Sequence, residues 1–341
     1  MKLVQGKFRI AAAAGVLTLA AALSSGAAQA QGQTYVMKIT TPTIHAVLDQ
    51  YGKAFGDAVE KDSGGRIKAQ LYPASQLGTI PRQIEGTQFG SIQCAIIPPE
   101  FFVGIDERFE VLAAPGLVTS ADQAEKVAAD PQVLKFYLGL GANKGLHGVA
   151  VGFAEQSEVV AKNAIRHLDD FKGKKLRIFA SEFQSASFSK LGATPVAMSP
   201  GDVVAALQQG ALDASVAGVQ LLSGLHFFDA AKYITLTNHA AIFYVVEISK
   251  KWYDSLPPDL QKIVDRDAAS TALNFSPRQK EIEDASTKAW TAGGGEFVNL
   301  PPNEEAEMIK TMSSVGAEIS KKKPDVAEAF KIVSDAAQRA K

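Results

Sequence analysis

Between residues 35 and 97 the apolar positions follow two periodicities in turn. Alternation with a period of two predicts half-buried strands, and apolar positions spaced three and four residues apart predict helices. Strands separated by helices of this length pair in parallel, with the helices covering the faces of the sheet. The predicted order is a strand at 35–40, a helix at 44–62, a strand at 66–72, a helix at 81–89 and a strand around Cys94. This part of the chain is therefore predicted to form an α/β lobe.

A second unit of the same kind follows, and a long strand and a long helix come after it. β-Branched and aromatic residues mark the long strand, which is predicted to cross between two lobes. Ser276-Pro277 is predicted to kink or break the long helix, because proline removes a backbone donor. The predicted elements are strands at 174–179, 194–197 and 240–249, and helices at 182–191, from Pro200 to just before Gly210, and at 259–290.

The first thirty residues have the composition of a secretory signal. Three basic residues precede an apolar run at 10–23, and small residues lead to the Ala-x-Ala sequence that ends at Ala30. The apolar run is shorter than the roughly 20 residues that span a bilayer. Residues 1–30 are therefore predicted to be cleaved after export, which leaves the mature protein in the periplasm. An uncleaved signal that acts as an anchor is the alternative.

The remaining composition argues against several classes of function. The 35 basic and 36 acidic residues give a net charge of −1, which does not favour nucleic acid or an anionic membrane as a partner. Cys94 lies in an apolar run, which favours a small buried side chain over a catalytic thiol. The five histidines lack the spacing of a helical zinc site, and no nucleophile elbow or Walker loop occurs. We therefore expect a protein that is not an enzyme and has no catalytic residues, cofactor or metal.

Six ordered motifs resemble those of one family across nearly the whole chain after residue 30. The family comprises the DctP-type solute-binding subunits of tripartite ATP-independent periplasmic (TRAP) transporters. The motifs are SGGRI at 63–67 with YPASQLG at 72–78, LDDFKGKKLR at 168–177, LGATP at 191–195, ALQQGALD at 206–213, TNH at 237–239 and LPPDLQK at 256–262.

The resemblance implies an α/β fold of the two-lobed periplasmic binding protein type, similar to type II. It implies a cleft between the lobes, a long helix that spans both, and closure of the lobes on the ligand. On this basis lobe I is placed at 31–153 and 243–283, and lobe II at 154–242 and 284–341. The expected partners are a small carboxylate ligand and the membrane permease of the transporter, and the protein is expected to be a monomer.

The resemblance also implies the principal ligand contact, an arginine at the end of the LDDFKGKKLR motif. In this chain that residue is Arg177. A guanidinium group holds a carboxylate through two parallel charge-assisted hydrogen bonds, an arrangement that lysine cannot make. An arginine that forms only a structural salt bridge at the end of a strand is the alternative.

Other positions near the expected cleft are apolar where relatives carry polar groups. Ala217 stands where relatives place an asparagine, and no arginine occurs near Gln156, where some sugar-acid binders carry a second one. The remaining candidate ligand contacts are Thr41, Pro98, Phe101, Phe179 and Phe243. An apolar cleft would leave the hydroxyl groups of a sugar acid buried without partners.

We therefore hypothesise a monocarboxylate ligand with an apolar or aromatic body, held by Arg177 and packed against aromatic side chains. The alternative is that these phenylalanines pack the cores of the lobes and that the ligand is a C4-dicarboxylate or a 2-oxo acid. Two further classes of function stay open at this point. One is a receptor that serves a sensor kinase, which would share all of these features, and the other is a secreted enzyme.

Overall fold

A computed structural model describes residues 33–341, and the predicted signal segment with its cleavage site after Ala30 lies outside the described residues. Nine strands form one mixed sheet in this part of the chain. The strands are β1 (Tyr35–Thr40), β2 (Ile67–Tyr72), β3 (Cys94–Ile97), β4 (Leu146–Ala161), β5 (Lys175–Ile178), β6 (Thr194–Ala197), β7 (Ala214–Ala217), β8 (Tyr233–Ser249) and β9 (Glu296–Asn299).

Helices cover the sheet, and several of them begin with proline in the first turn, where the missing backbone donor costs nothing. The helices are α1 (Val47–Asp62), α2 (Ile80–Phe89), α3 (Ala121–Ala128), α4 (Pro131–Tyr137), α5 (Glu182–Lys190), α6 (Pro200–Gln208), α7 (Val219–Gly224), α8 (Lys250–Tyr253), α9 (Pro258–Leu273), α10 (Ser276–Ala292), α11 (Pro302–Ser320) and α12 (Pro324–Arg339). Short 3₁₀ segments lie at Pro99–Phe102, Glu107–Ala113, Ala142–Lys144, Leu168–Phe171 and Phe227–Asp229.

The strand order divides the sheet into two halves. It runs β2-β1-β3-β8-β4-β7-β5-β6, with β9 beside β8. Strand β1 pairs in parallel with β2 and β3, and β5 pairs in parallel with β6 and β7. The long antiparallel pair β4–β8 joins the two parallel sets. This arrangement is the predicted two-lobed α/β fold.

The strand pair that joins the halves is longer than predicted and irregular. The crossing strand was predicted at 240–249, whereas β8 begins at Tyr233 and β4 crosses beside it over 16 residues. The register of the pair shifts at three places, so neither strand keeps a strict period of two. Between Ser157 and Val159 the partner strand inserts extra residues, among them Asn238 with a φ of 45°.

The long helix predicted at 259–290 is two helices. Helix α9 ends at Leu273 and α10 begins at Ser276, so the break predicted at Ser276-Pro277 is confirmed. Helix α9 packs against α1 and α10 packs against α7, which lie in opposite halves of the molecule. The two helices together therefore cover the distance that one continuous helix was expected to span.

The apolar clusters show which elements share a core. One cluster joins β1, α1 and α9, and two others lie on the two faces of the strands β5 to β7. A fourth cluster packs the C-terminal helix α12 against α3, α4 and the segment Glu107–Ala113. Residues 324–339 therefore pack mainly on elements assigned to lobe I, although the sequence analysis placed them in lobe II. Among residues 33–341, no helix has the length and the hydrophobicity that a membrane span requires.

Candidate functional site

A small cavity of about 20 Å³ lies where the carboxyl ends of the parallel strands from the two halves face each other. Ligands of open α/β sheets bind at this end of the strands, because the loops that follow the strands form a crevice there. Most of the lining is apolar, and two charged residues contribute to it. The lining residues are Pro42, Thr43, Leu48, Ile80, Pro98, Phe101, Glu155, Arg177, Phe179, Pro200, Gly218, Leu221 and Ile242.

Arg177 is held at this cavity by the ends of the two strands that flank β5. Its Nε donates to the carbonyl oxygen of Met198 at 2.7 Å, and its Nη1 donates to the carbonyl oxygen of Val216 at 2.8 Å. The residue is 1 % exposed, and its Nη2 is buried without a hydrogen-bond partner. A buried unpaired donor on a cation is costly, so this atom marks a position where an acceptor would bind strongly.

Two phenylalanines extend the site from the guanidinium group. The Cζ of Arg177 lies 4.8 Å from the ring centroid of Phe179. Phe179 in turn stacks on Phe101, with 5.5 Å between the ring centroids. Phe101 follows β3 and Phe179 follows β5, so this contact joins the two halves of the molecule. The stack is a flat apolar surface beside the positive charge.

Buried carboxyl groups set the electrostatics behind Arg177. Burial raises the pKa of Glu100 to about 8, with a smaller contribution from Glu110, while Arg177 opposes the rise. Glu100 is 1 % exposed and neither of its carboxyl oxygens has a hydrogen-bond partner. Burial also lowers the pKa of Arg177 to about 9, and Glu100 opposes that change. At neutral pH Glu100 is therefore protonated, and Arg177 keeps a charge that no ionised neighbour cancels.

Glu155 is the other charged residue that lines the cavity. It lies on β4 at one of the register shifts, and its Oε2 accepts a hydrogen bond from the backbone nitrogen of Gln220 at 2.7 Å. Burial raises the pKa of Glu155 to about 8, although the backbone N–H groups of Gln220 and Leu221 oppose the rise. A Cβ atom on Gly218 would lie 1.9 Å from its carboxyl carbon, so any larger residue there would displace the Glu155 carboxyl group from this position.

The structure brings four of the eight candidate ligand contacts to this cavity. They are Arg177, Phe179, Pro98 and Phe101. Each of the other four lies next to a residue that lines the cavity: Thr41 beside Pro42, Gln156 beside Glu155, Ala217 beside Gly218 and Phe243 beside Ile242. Successive residues of a strand point to opposite faces, so a shift of one position moves a side chain out of the site.

The four side chains outside the cavity have other neighbours. Thr41 Oγ1 donates to the carbonyl oxygen of Thr43 at 3.1 Å. The Gln156 amide donates to Ala240 O at 3.0 Å and accepts from the backbone nitrogen of Ala121 at 2.7 Å. Phe243 packs edge-on against Phe153, and Ala217 is buried in the core of its own half.

Glu155 and the residues around Leu221 were not among the predicted ligand contacts. The sequence does contain a signal for Glu155: it lies inside the mostly apolar segment 149–160, and burying a carboxylate is costly unless it has polar partners. The apolar residues Leu48, Ile80 and Leu221 had no comparable signal, since their side chains look like ordinary core residues.

Other groups that were candidates for chemistry are in structural positions. Cys94 is buried, and burial raises the pKa of its thiol. His239 is buried, its Nδ1 lies 2.8 Å from Thr237 Oγ1, and burial lowers its pKa to about 3. In the part of the chain that the structure describes, no three His, Cys, Asp or Glu side chains are grouped so that they could hold a metal ion.

Comparisons with known proteins agree with the fold and the motifs. The family model DctP, described as bacterial extracellular solute-binding protein, family 7, matches residues 38–323. The chain is similar to the C4-dicarboxylate-binding periplasmic protein DctP of Rhodobacter capsulatus, with 28 % identity over 274 residues that cover 79 % of this chain and 81 % of that protein.

Two solved structures illustrate the similarity of fold. One is the sugar acid binding protein DctPAm of Advenella mimigardefordensis in complex with galactonate, with a TM-score of 0.84 and 21 % identity over 91 % of this chain and 99 % of that chain. The other is a TRAP periplasmic solute binding protein from Desulfovibrio salexigens with bound orotic acid, with a TM-score of 0.83 and 20 % identity over 90 % of this chain and 100 % of that chain.

Proposed function

Because the chain belongs to the DctP family of bacterial extracellular solute-binding proteins, which bind ligands and are not enzymes, we propose that it captures a small organic acid between its two lobes and delivers it to a TRAP permease. In this proposal Arg177 binds the ligand carboxylate. The observation that carries it is the buried Nη2 of Arg177, which has no partner and belongs to a guanidinium group already held by two backbone carbonyls. The carboxylate of a ligand would supply the missing acceptor and the missing negative charge.

The shape and lining of the cavity support a monocarboxylate with an apolar or aromatic body. Phe101 and Phe179 offer flat apolar faces next to Arg177, and prolines and aliphatic side chains form most of the remaining wall. A ring or a branched chain buries its surface there without leaving hydroxyl groups unsatisfied. Among the relatives, bound orotic acid is an aromatic monocarboxylate, whereas galactonate is rich in hydroxyl groups. A C4-dicarboxylate, the ligand named for the Rhodobacter relative, is the second candidate.

Closure of the lobes is part of the same proposal. The cavity is too small for such a ligand with Phe101 and Phe179 in contact, so the two rings separate when the ligand enters. A ligand that contacts residues from both halves favours the closed form, and the permease would recognise that form. The proposed lobes are 31–153 with 243–283 and 154–242 with 284–341, with α12 seated on the first of them.

A thermal-shift and calorimetry screen of residues 31–341 tests the proposed site. The wild type and Arg177→Lys are each tested with aromatic and branched monocarboxylates, 2-oxo acids, sugar acids and C4-dicarboxylates. A ligand that binds only the native state raises the melting temperature. We expect aromatic or branched monocarboxylates to give the largest shift, and Arg177→Lys to lose it, since lysine cannot replace all three donor positions. The largest shift with C4-dicarboxylates would favour the second candidate, and unchanged binding by Arg177→Lys would show that Arg177 is structural.

Export and assembly complete the proposal. Residues 1–30 are proposed to be a cleaved signal that sends the chain to the periplasm as a monomer. Mass spectrometry of the protein recovered from a periplasmic extract would show a mature chain that begins at Gln31. Light scattering of the purified protein would give the mass of one chain with and without ligand.

A further inference from the structure

We infer that the outer side of α2, together with the neighbouring part of β1, is the surface on which the permease docks, and that Phe89 is its apolar anchor. The inference rests on the proposed function and adds the surface through which that partner binds. Among residues 33–341, three large apolar side chains are exposed: Val36, Phe89 and Leu273. Phe89 is the last residue of α2, and it is 70 % exposed.

Phe89 borders a groove of about 480 Å³ that α2 and β1 form together. Arg82, Glu85 and Phe89 are spaced three and four residues apart, so they share one face of the helix. Lys38 of β1 also lines the groove, and Val36 lies on the same face of the strand because alternate residues share a face. Two of the three exposed apolar side chains therefore lie on one side of the first lobe, which makes a patch rather than a scattered residue.

This part of the sheet stays uncovered because α2 is fastened over the other end of β1. Thr40 Oγ1 donates to Gln83 Oε1 at 2.9 Å, and both side chains are buried. Earlier on the same face of the strand, Lys38 is half-buried and Val36 is exposed. The groove is thus a fixed feature of a packed helix and strand.

The charges of the groove indicate the chemistry of its partner. Arg82 pairs with Glu85 of the same helix at 3.1 Å, whereas Lys38 has no salt-bridge partner among residues 33–341. The groove therefore presents apolar surface and an unpaired cation. A partner that places an apolar side chain against Phe89 and a carboxylate beside Lys38 complements both features.

The position of α2 favours the permease as this partner. The first residue of the helix, Ile80, lines the cavity at Arg177, and Phe89 ends the same helix of 10 residues. One rigid element of about 15 Å therefore joins the proposed ligand site to the groove. A protein that must respond to the bound acid gains from binding such a helix.

Two other occupants fit less well. A second copy that met this patch about a two-fold axis would bring Lys38 against the same patch, in which cations outnumber carboxylates. Anionic lipid is attracted by clusters of about four to eight basic residues, whereas this groove has two cations and one carboxylate.

Binding to the TRAP permease of the source organism, purified and held in lipid nanodiscs, tests the surface. Surface plasmon resonance compares the wild type with the variants in phenylacetate, in succinate and without either acid, at low and high salt. Phe89→Ala should bind the permease about tenfold more weakly, as truncation of an aromatic anchor does. Lys38→Glu should weaken docking by a similar factor at low salt, and the difference should shrink at high salt. Both variants should keep the wild-type affinity for acids in calorimetry, because neither residue lines the cavity at Arg177.

Leu273→Ala and Lys262→Glu are the matched controls. Leu273 is 69 % exposed, nearly the same as Phe89, and both control residues belong to α9 and lie outside the groove. They remove the same kinds of side chain from another surface. Both variants should dock on the permease as the wild type does.

The outcomes separate the inference from the proposed function. Wild-type docking by Phe89→Ala would overturn the inference, as would an equal loss of docking in Leu273→Ala. Equal binding of the wild type to empty nanodiscs would identify lipid as the occupant, and a wild-type dimer that Phe89→Ala dissociates in light scattering would identify a second copy. Either result overturns the inference. Failure of the proposed function has a different signature: the wild type binds no acid in the thermal-shift screen, or it does not bind the permease at all.

Discussion

Phe101 and Phe179 stack with their ring planes 27° apart, although they follow strands in opposite halves of the sheet. Phe179 also packs under the guanidinium group of Arg177, so the cation, one ring and the second ring form a continuous row across the cleft. Such a row joins Arg177, the proposed anion-binding group, to both lobes. In the proposed function it would give the acid a charged anchor and an apolar surface at the same place.

Replacing Phe101 with leucine should reduce the affinity for aromatic acids more than for aliphatic ones. Leucine keeps an apolar contact but loses the aromatic pair, which is worth about 1 kcal/mol or roughly a fivefold change in affinity. Calorimetry with phenylacetate and butanoate measures the difference. Phe136→Leu is the matched control, because Phe136 also lies beside an arginine, Arg108, but away from the cavity. Equal losses for the two acids in Phe101→Leu would contradict a stacking role.

Glu100→Gln should make the protein more stable at pH 8.5 and change its stability little at pH 5. Burial raises the pKa of Glu100 in the folded protein to about 8, well above the ordinary value of 4.5. The folded state therefore holds this proton more tightly than the unfolded state, so the stability contributed by Glu100 falls as the pH rises from about 4.5 to about 8. Glutamine has no proton to lose, and its advantage at pH 8.5 should exceed about 1 kcal/mol.

Urea unfolding of the wild type and Glu100→Gln at the two pH values measures this change. Glu155 and Glu158 titrate in both proteins, so the difference between the two free energies of unfolding reports on Glu100. A stability difference that is the same at pH 5 and pH 8.5 would mean that Glu100 is ionised throughout.

The elements were predictable where local chemistry marks their ends. Gly90 closes α2 with a φ of 87°, and Pro200 opens α6, so the sequence places both boundaries within about a residue. Helix α1 was expected from residue 44 but begins at Val47, because Asp49 accepts hydrogen bonds from the backbone of His45 and Ala46 and holds that segment outside the helix.

The site was less predictable because it depends on register. Arg177 was identified from its motif, and its surroundings confirm only that it lies at the cavity. The choice between Gln156 and Glu155, or between Phe243 and Ile242, depends on which face of β4 or β8 a residue occupies. Three register shifts along this pair change that face, and each shift depends on distant backbone contacts that a local pattern does not contain.

Glu158→Ala should destabilise the segment of β8 that carries inserted residues opposite β4. Glu158 Oε2 accepts from the backbone nitrogen of Asn238 at 3.1 Å, from Thr237 Oγ1 at 3.1 Å, and from the Thr237 backbone nitrogen. These N–H groups lie in the segment where the ladder between β4 and β8 is interrupted. Alanine would leave them without a partner, which costs about 1–3 kcal/mol for each buried group.

Urea unfolding of Glu158→Ala should therefore show a loss of at least about 2 kcal/mol. Glu283→Ala provides the control. Glu158 and Glu283 both line a cavity of about 440 Å³ beside β4, but Glu283 is exposed. Its effect should stay within about 0.5 kcal/mol. If the two variants lose equal stability, the inserted segment does not depend on Glu158.

Gln220→Ala should weaken the binding of every ligand by a similar factor, because Gln220 joins the two halves and does not line the cavity around Arg177. Its Oε1 accepts from the backbone nitrogen of Val47 at 2.9 Å, at the start of α1, and its Nε2 donates to the carbonyl oxygen of Ala154 at 3.2 Å on β4. Gln220 itself belongs to α7, in the other half. In the proposed closure α7 approaches α1, so loss of the bond to Val47 should disfavour the closed state.

Loss of these two bonds should lower the affinity about tenfold for aromatic and aliphatic acids alike. Gln123→Ala is the matched control: its Nε2 donates to Ala337 O at 2.8 Å and its Oε1 accepts from Thr119 N at 3.1 Å, between elements that share one core. That variant should lose stability but keep its affinity. A loss of affinity confined to one kind of ligand would instead place Gln220 among the groups that contact the acid. Equal losses of affinity in Gln220→Ala and Gln123→Ala would mean that general destabilisation, not closure, controls binding.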